Sequence, residues 1–516
     1  MSTRYILAID QGTTNTKAVL VDAAGRPAYR TSVPVRVTTL KSDWVEQDAR
    51  EIWDSVRRAI DDCLNHCSPA TPAGIGISNQ RETIVAWERA TGNPLAPAIV
   101  WQCRRSAALC SKLSKDGWGP LLRERTGLGI DPLFSAGKIA WLLENIPGLR
   151  ARAESGEICF GTMDSWLIWN LTGGAHHVCD FSNAARTQLL NISTEAWDAE
   201  LLSLFGVPHV SLPRLVSSSG LIGETAAAGA IPPGIPIASA LGDSHAALAG
   251  HASFAPGTVK ATYGTGSSLM TLVDALNQRA SDLAITIAWR VQDATQYALE
   301  GNISMSGAAV QWLGEFLRLP NPIEDAARLA ESVDSSDGVY FVPAMSGLGA
   351  PHWDTAVRGA VFGLSRTSTS AHLARAAVEA IAFQVRDVFD AMEREAAVPL
   401  PVLYADGGAT RNDRLMQFQA DILGRPVMRS ICPDLSAVGA AWFAGIALGI
   451  WSSLEALEKL RFDSQIFEPR MSETEREQKY GDWKLSVERA RHGGANNQSE
   501  SAKPFGGATA KTHARH

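Results

Sequence analysis

Two segments of the chain carry the same short pattern, and this repeat limits what the chain can fold into. They run from Ile9 to Asp22 and from Ala261 to Asp274, and their Gly-Thr turns and Leu-Val-Asp endings align at a single offset. Each segment predicts an apolar strand, a turn rich in Gly, Thr and Ser, and a second apolar strand. A single turn of this kind is more often a plain hairpin than a binding site. Two copies predict related halves whose hairpin tips present backbone N–H groups to phosphate oxygens across a shared cleft.

Length and pattern support two domains built around central sheets. With 516 residues, of which 45% are hydrophobic and 20% charged, the chain is too long for one core and suits two domains of about 250 residues each. Apolar strands alternate with helical segments, which indicates an α/β architecture. Helices are predicted at 49–65, 137–144, 307–317, 371–395 and 412–423.

The domain junction is predicted from turn-forming residues. Pro- and Gly-rich segments at 231–236 and 254–257 place it near residue 250, which gives domains 1–250 and 251–492. The last residues, 493–516, contain almost no apolar bulk. They are predicted to form a disordered tail.

Charge and cysteine content argue against several classes of protein. The net charge is −7 and no run of Lys or Arg occurs, which argues against nucleic-acid and anionic-membrane partners. The longest apolar run, 437–451, is short for a membrane span and is interrupted by glycines, so it predicts a buried helix. Seven cysteines without paired CxxC spacing predict reduced thiols. The first strand begins almost at the N-terminus and leaves no room for a secretory signal, so a cytoplasmic location is expected.

Two aspartates are candidate catalytic residues. Asp10 lies directly before the first Gly-Thr turn, where a carboxylate can act on a phosphate only through Mg²⁺ or by positioning water. Asp243 follows a predicted strand, 237–242, and precedes an Ala-rich helix, at the strand end where α/β proteins bind ligands. It can serve as a catalytic base or merely as a helix cap. Its position at the predicted domain junction favours the base.

Arg81, Glu82 and Trp101 are candidate substrate-binding residues. Arg81 and Glu82 end a predicted buried strand, where ionised groups survive only if they are paired or bound to a polar ligand. Such a dipeptide is otherwise usually a solvated surface pair. Trp101 is either one more core aromatic residue or a flat wall for a small polyol.

The second half contains a further glycine-rich turn. It spans 404–409 and leads through Asn412 into a predicted helix. Glycines allow close approach of a ligand to the backbone, and a helix N-terminus favours an anion or a polar edge of a nucleotide. Taken alone, the Asp-Gly-Gly sequence usually marks only a turn.

These motifs together closely resemble those of the FGGY carbohydrate kinases, and within that family those of the glycerol kinases. The resemblance covers nearly the whole folded chain and rests on the segments 10–14, 79–83, 99–105, 160–166, 263–266, 347–354 and 406–409. It implies an α/β, actin-like/ribonuclease-H-like duplicated fold of two domains with an interdomain cleft. It also implies transfer of the ATP γ-phosphoryl group to a primary hydroxyl of a small polyol or ketose, with domain closure over the substrate.

The resemblance assigns roles to individual residues. Asp10 matches the carboxylate that binds Mg²⁺, and Asp243 matches the general base. Arg81, Glu82 and Trp101 match polyol contacts. The positions that match ATP contacts are Gly12, Thr13, Thr14, Gly264, Thr265, Gly307, Gln311, Gly408, Ala409 and Asn412. A homo-oligomer, either a dimer or a tetramer, is expected.

Three expected polyol contacts differ from the family pattern. Leu133 stands where Tyr is usual, Ser244 where Gln is usual, and Ser268 where Phe is usual. Since two of these side chains are much smaller and the third lacks a hydroxyl, the same reaction on a larger polyol or ketose is predicted. A strict glycerol kinase that makes glycerol 3-phosphate remains the alternative.

A different class of protein also uses the actin-like fold. ATP-driven chaperones and filament proteins would explain the duplicated hairpins. They give no reason to gather Arg81, Glu82, Trp101 and Asp243, so the kinase interpretation is favoured.

Overall fold

The molecule is described by a computed structural model that covers residues 5–41, 43–67, 71–229, 231–276, 282–345, 347–396 and 398–500. Both predicted hairpins are present. The first pairs Ile6–Gln11 with Asn15–Val21, and the second pairs Val259–Tyr263 with Ser267–Val273, both antiparallel. The repeat therefore forms the same local structure in each half, as the sequence predicted.

The N-terminal half combines strands that are mostly buried with helices. Its strands are β1 (Ile6–Gln11), β2 (Asn15–Val21), β3 (Pro27–Pro34), β4 (Thr38–Lys41), β5 (Trp44–Gln47), β6 (Gly74–Asn79), β7 (Val85–Glu88), β8 (Ala98–Ile99), β9 (Ile158–Gly161), β10 (Val178–Asp180), β11 (Leu190–Asn191), β12 (Ala196–Trp197), β13 (Arg214–Val216), β14 (Ser219–Glu224) and β15 (Pro236–Gly242). Its helices are α1 (Ala49–Cys67), α2 (Ala107–Lys115), α3 (Gly119–Thr126), α4 (Ser135–Asn145), α5 (Leu149–Glu154), α6 (Met163–Leu171), α7 (Phe181–Ala184), α8 (Ala199–Phe205) and α9 (Asp243–Gly250).

The C-terminal half also combines strands and helices. Its strands are β16 (Val259–Tyr263), β17 (Ser267–Val273), β18 (Ala284–Val291), β19 (Ala294–Ile303), β20 (Tyr340–Val342), β21 (Ala360–Phe362), β22 (Leu403–Asp406), β23 (Val427–Ser430) and β24 (Ser464–Phe467). Its helices are α10 (Gly307–Phe316), α11 (Pro322–Glu331), α12 (Ser370–Ala396), α13 (Asp413–Leu423), α14 (Leu435–Ala447), α15 (Leu454–Glu458) and α16 (Glu473–Glu500).

One sheet of 13 strands runs through both halves of the described chain. Its order is β24-β23-β22-β16-β17-β19-β18-β14-β15-β6-β1-β2-β3. The halves meet in this sheet where β14 lies parallel to β18, at the pair Ser219 and Val291. One large apolar cluster lies within the N-terminal half, and another lies mainly in the C-terminal half but also includes residues 179–192. Two smaller clusters combine residues of both halves, so the halves are packed together beside the sheet as well as joined through it.

The predicted helices are confirmed within two residues at each end. They correspond to α1, α4, α10, α12 and α13. The long apolar run is also a buried helix, α14, whose residues 437–445 are buried. Among the described residues, no helix combines the length and the apolar character that crossing a membrane would need.

Helices α9 and α14 cross at a backbone contact between the halves. A Cβ added at Gly439 would lie 1.9 Å from the carbonyl oxygen of Ala246, and one at Gly250 would lie 2.2 Å from that of Leu435. Only glycine permits so close a crossing. The contact fixes α9, and with it Asp243 at its start, relative to the C-terminal half.

The tail prediction is wrong at its beginning. Helix α16 continues to Glu500, past the predicted boundary at residue 493, and residues 501–516 lie outside the described part. Tyr480 and Trp483 anchor the helix in the core. Once a helix is nucleated by such packing, extending it requires no apolar residues, so a polar composition did not exclude it.

Candidate active site

Three neighbouring parallel strands deliver the predicted catalytic residues to one edge of the sheet. Strand β6 lies between β1 and β15, with Asp10 opposite Ser78 and Gly242 opposite Asn79. Asp10 therefore stands at the end of β1, and Asp243 follows the end of β15. Because parallel strands end at the same edge, residues far apart in sequence converge there.

The turn of each hairpin is closed by its own backbone. The N–H of Gly12 donates to the carbonyl of Asn15 at 2.9 Å, and the N–H of Gly264 donates to that of Gly266 at 2.9 Å. The first turn is held further by Trp101, whose Nε1 donates to Oγ1 of Thr13 at 2.9 Å. The predicted wall of the substrate site thus contacts the predicted phosphate hairpin directly.

Asp10 is nearly buried at the first hairpin. Its Oδ1 accepts a hydrogen bond from Oγ of Ser78 at 2.9 Å, and its Oδ2 lies 3.6 Å from Nζ of Lys17. Lys17 also lies 3.4 Å from Asp434. The negative field, chiefly of Asp10, raises the pKa of Lys17 above its usual range. A fixed positive charge therefore stands beside the predicted phosphate position.

Asp243 begins helix α9, and 40% of its side chain is exposed. Its Oδ1 lies 3.2 Å from Nε of Arg81 and accepts the N–H of Ser244 at 2.7 Å. The residue before the helix is Gly242, and no side chain caps the helix there. Asp243 is therefore the first residue of the helix rather than its cap, and its carboxylate binds the N–H of the next residue.

The surroundings make Asp243 a stronger base than an ordinary aspartate. Loss of hydration is the largest effect, and together with the charges of Asp10 and Glu82 it raises the pKa of Asp243 to about 6, against the opposing effect of Arg81. A carboxylate with a raised pKa holds a proton more readily near neutral pH.

Arg81 and Glu82 are buried, as predicted for the end of a buried strand. Nη2 of Arg81 lies 2.7 Å from Oε1 of Glu300, and Glu82 accepts a hydrogen bond from Nε of Arg186 at 2.7 Å. Glu82 has a φ of 59°. Non-glycine residues rarely adopt this conformation, and it is concentrated at functional sites.

Hydrogen bonds to the backbone carbonyl of Glu82 stabilise this conformation. Its carbonyl accepts hydrogen bonds from Nζ of Lys138 at 2.9 Å and from Oγ of Ser135 at 3.1 Å. Lys138 also donates to the carbonyl of Leu133. Burial lowers the pKa of Lys138 to about 8. Leu133 is thereby tied to the backbone of Glu82, and its side chain packs beside Phe134.

The two substituted serines contact each other beside Asp243. Oγ of Ser244 donates to Oγ of Ser268 at 3.0 Å, and Oγ of Ser268 donates to Glu300 at 3.0 Å. Nζ of the buried Lys260 donates to Ser244 at 3.2 Å. Burial lowers the pKa of Lys260 from its usual value. The second hairpin is therefore joined to the start of α9 by hydroxyl groups.

The remaining predicted nucleotide residues lie on the C-terminal half. The N–H of Gly307 donates to the carbonyl of Gly264 at 3.0 Å, so α10 begins against the second hairpin. Gln311 is further along α10 and donates to Glu315 at 2.9 Å. Oδ1 of Asn412 accepts the N–H of Leu415 at 2.9 Å and caps α13.

Gly408 and Ala409 follow strand β22 in a single helical turn. The preceding Gly407 has a φ of 97°, and a Cβ there would lie 2.4 Å from the carbonyl oxygen of Tyr263. This glycine therefore brings the turn against the base of the second hairpin. A Cβ at Gly408 would meet nothing within 4 Å, so this side of the turn is open.

Sequence reasoning did not single out five charged residues of the site. They are Lys17, Lys138, Arg186, Lys260 and Glu300. Glu300 is in the middle of the apolar strand β19 with no exposed side chain. A lone carboxylate in a buried strand needs a partner, so its position was a usable signal.

The chain matches the N-terminal domain of the FGGY family of carbohydrate kinases over residues 5–250 and the C-terminal domain over residues 259–448. A glycerol kinase of Symbiobacterium thermophilum is 48% identical over 495 residues, covering 95% of this chain and 99% of that protein. A glycerol kinase of Acinetobacter baylyi is 46% identical over 94% of this chain and 99% of that protein. The crystal structure of Plasmodium falciparum glycerol kinase with ADP has a TM-score of 0.87 at 33% identity, covering 95% of this chain and 98% of that chain.

The chain therefore belongs to the FGGY family of carbohydrate kinases, and it is an ATP-dependent kinase with the actin-like α/β fold. Within the family it resembles glycerol kinases along nearly its whole length. The predicted family is confirmed, and these similarities support a kinase rather than an ATP-driven chaperone or filament protein. The predicted roles of individual residues stay predictions.

Proposed function

We propose that the protein transfers the γ-phosphoryl group of ATP to a primary hydroxyl of a small polyol or ketose, with Asp243 as the general base. The observation that carries this proposal is the position of Asp243: it is partly exposed beside Arg81, and Asp10 stands at the same edge of the sheet. A base beside both phosphate hairpins fits transfer of a phosphoryl group to a hydroxyl that is held next to it. ATP consumption that depends on added polyol tests the proposal, and ATP consumption independent of any polyol contradicts it.

Asp10 suits Mg²⁺ carried by ATP. A single carboxylate with phosphate oxygens and water is a common environment of this ion. Asp10 supplies that carboxylate, and Lys17 beside it would contact the same phosphates. Mg²⁺ bound there would help to neutralise the charge of the transferring group.

The other residues bind and orient the two substrates. The N–H groups of Gly12 and Gly264 close the two turns, so the turns hold phosphates through the backbone N–H groups of Thr13, Thr14 and Thr265. Arg81 and Glu82 bind hydroxyls of the acceptor, and Trp101 packs against its carbon chain. Asp243 then accepts the proton of the reacting hydroxyl as its oxygen bonds to phosphorus.

The pH dependence of the rate follows from the basicity of Asp243. The carboxylate form is the base, and the pKa of Asp243 is raised to about 6. We expect kcat/KM to be flat above this pH and to fall about tenfold per pH unit below it. Initial rates between pH 5 and pH 8 at fixed ionic strength measure this. A profile that stays flat to pH 5 would contradict the assignment.

We propose that a four- or five-carbon substrate fits the site better than glycerol. The hydroxyls of Ser244 and Ser268 adjoin Asp243 and can bind an additional substrate hydroxyl. Leu133 offers no hydroxyl to a short polyol. Glycerol would be held loosely, and small misplacements of a reacting group can lower the rate by roughly a hundredfold. The names of the relatives support the alternative, a strict glycerol kinase.

Substrate length is tested with glycerol, erythritol, xylitol and erythrulose. We expect kcat/KM to be higher for one of the longer compounds than for glycerol. Leu133→Tyr combined with Ser268→Phe should restore preference for glycerol by filling the space, whereas Ser268→Ala should lower kcat/KM more for the longer substrates than for glycerol. If the wild type prefers glycerol to every longer compound, the alternative of a strict glycerol kinase is correct.

The domain boundary, the cellular location and the oligomeric state also belong to this proposal. We propose that the first domain ends at residue 250 and the second begins at residue 251, and that the protein is cytoplasmic and a homo-oligomer, either a dimer or a tetramer. Mass photometry of the purified protein measures the oligomer, and a monomer at all concentrations would contradict it.

A further inference from the structure

Glu300 is a buried carboxylate that the proposed reaction does not use. Its side chain has no exposed surface, and it extends from β19, a strand of the C-terminal half. Burial alone would raise the pKa of this carboxyl, but the guanidinium groups of Arg186 and Arg81 hold it well below its usual range. Glu300 is therefore ionised, and its charge depends on these two partners.

Glu300 stands at the centre of a row of alternating charges. The row is Asp243, Arg81, Glu300, Arg186 and Glu82, with successive closest distances of 3.2, 2.7, 2.7 and 2.7 Å. Asp243 and Glu82, at its two ends, are the proposed base and a proposed acceptor contact. The two arginines and Glu82 belong to the N-terminal half, so Glu300 joins the row to the other half.

The row fixes the orientation of the Arg81 guanidinium. Nε faces Asp243 and Nη2 contacts Glu300, which defines the plane of the group. Nε and Nη1 are both buried, and neither has a hydrogen-bond partner among the described residues, although Nε lies within ion-pair distance of Asp243. Because unpaired buried donors are costly, a ligand that accepts from Arg81 would be stabilised there.

Arg186 connects Glu300 to the other end of the row. Its Nη1 lies 2.7 Å from Oε2 of Glu300, and its Nε donates to Oε1 of Glu82 at 2.7 Å. Its guanidinium also lies over the ring of Phe134, 5.1 Å from the centroid. Arg186 is fully buried. One oxygen of Glu82 is thus held in place, and the other stays available to an acceptor hydroxyl.

We infer that Glu300 is a positioning residue of the acceptor site: it acts through Arg81 and Arg186 to orient the donor and the acceptor groups that bind the polyol. This inference rests on the proposed function, because it concerns how that substrate is held. A purely stabilising role is a weaker explanation, since a buried ion pair adds little net stability relative to apolar residues.

A matched pair of variants separates positioning from stability. Glu300→Gln keeps the shape and removes the charge. Glu379→Gln makes the same change at another buried glutamate of the C-terminal half, which lies 2.7 Å from Nε of Arg375 on helix α12. Calorimetry with the nucleotide-free protein measures the Kd of glycerol and of erythritol, and a separate titration measures the Kd of ATP.

We expect Glu300→Gln to raise the Kd and KM of the polyol by about tenfold or more while the Kd of ATP changes by less than about twofold. Glu379→Gln should change neither constant. Unchanged polyol binding in folded Glu300→Gln, or an equal loss in Glu379→Gln, overturns the inference and leaves the proposed function intact. If the wild type binds ATP but neither polyol and transfers phosphate to neither, the proposed function and this inference both fail.

A second variant covers the case in which Glu300→Gln does not fold. Glu300→Asp retains the buried charge and shortens its reach toward Arg81 by one methylene. If Glu300 positions Arg81, polyol affinity falls although the melting temperature stays close to that of the wild type. Polyol affinity equal to that of the wild type in Glu300→Asp, in spite of the shorter carboxylate, overturns the inference.

Discussion

Asp243→Asn is expected to lower kcat by about a hundredfold or more while ATP still binds with nearly unchanged affinity. Asparagine keeps the shape of the side chain and can still accept the N–H of Ser244, but it cannot accept a proton from the substrate. The raised pKa of Asp243, about 6, helps its carboxylate to hold that proton, and the amide of asparagine has no such capacity. Steady-state rates with saturating ATP and polyol measure the effect.

Asp198→Asn provides the control for this substitution. Asp198 accepts backbone N–H groups at the start of α8, and asparagine caps helices equally well, so turnover should be unchanged. Turnover of Asp243→Asn within a few-fold of the wild type would remove Asp243 from the role of base. The proton would then have to leave through another group or through water.

The fold was predictable because its signals are local or periodic. Each hairpin is specified by a short turn and two apolar strands, and α12 by a long amphipathic pattern. The end of helix α16 is the exception. Composition showed that residues 493–500 contribute no apolar bulk, but it could not show that α16 would extend through them, because that depends on packing of Tyr480 and Trp483 earlier in the helix.

The site was predictable only in part, for a different reason. The sequence placed Arg81 and Glu82 at the end of a buried strand and required partners for them, but it could not name those partners. Arg186 and Glu300 are more than 100 residues away in the chain and reach the site only through the folding of both halves. Long-range pairing of charges follows from tertiary structure, which one sequence does not specify residue by residue.

The two serines illustrate the same limit. Their replacement of larger family residues was visible in the sequence, and it suggested empty space in the substrate site. The structure adds that Ser244 and Ser268 are hydrogen bonded to each other and to Lys260 and Glu300. An additional substrate hydroxyl would therefore enter an existing polar network.

The nucleotide site is tested most sharply at Gly408, and the structure explains why this glycine is preferable to Gly266. A Cβ at Gly266 would lie 2.5 Å from the carbonyl oxygen of Ile303, so any side chain there disturbs the protein with or without ATP. A Cβ at Gly408 meets no protein atom within 4 Å. A larger side chain at this position projects into open space, which is where we propose that the nucleotide binds.

Gly408→Val should raise the Kd of ADP by about a hundredfold or more, because the branched side chain excludes the ligand from the turn. The melting temperature of the ligand-free protein should stay close to that of the wild type, and Gly408→Ala should have a smaller effect on affinity. Gly481→Val is the control, since a Cβ at Gly481 on helix α16 also meets nothing within 4 Å. Calorimetric titration with ADP requires no acceptor, so the result does not depend on the identity of the polyol. ADP affinity that is unchanged in Gly408→Val would mean that the turn after β22 does not contact the nucleotide, and the similarity to family ATP contacts at Gly408, Ala409 and Asn412 would then carry no function in this protein.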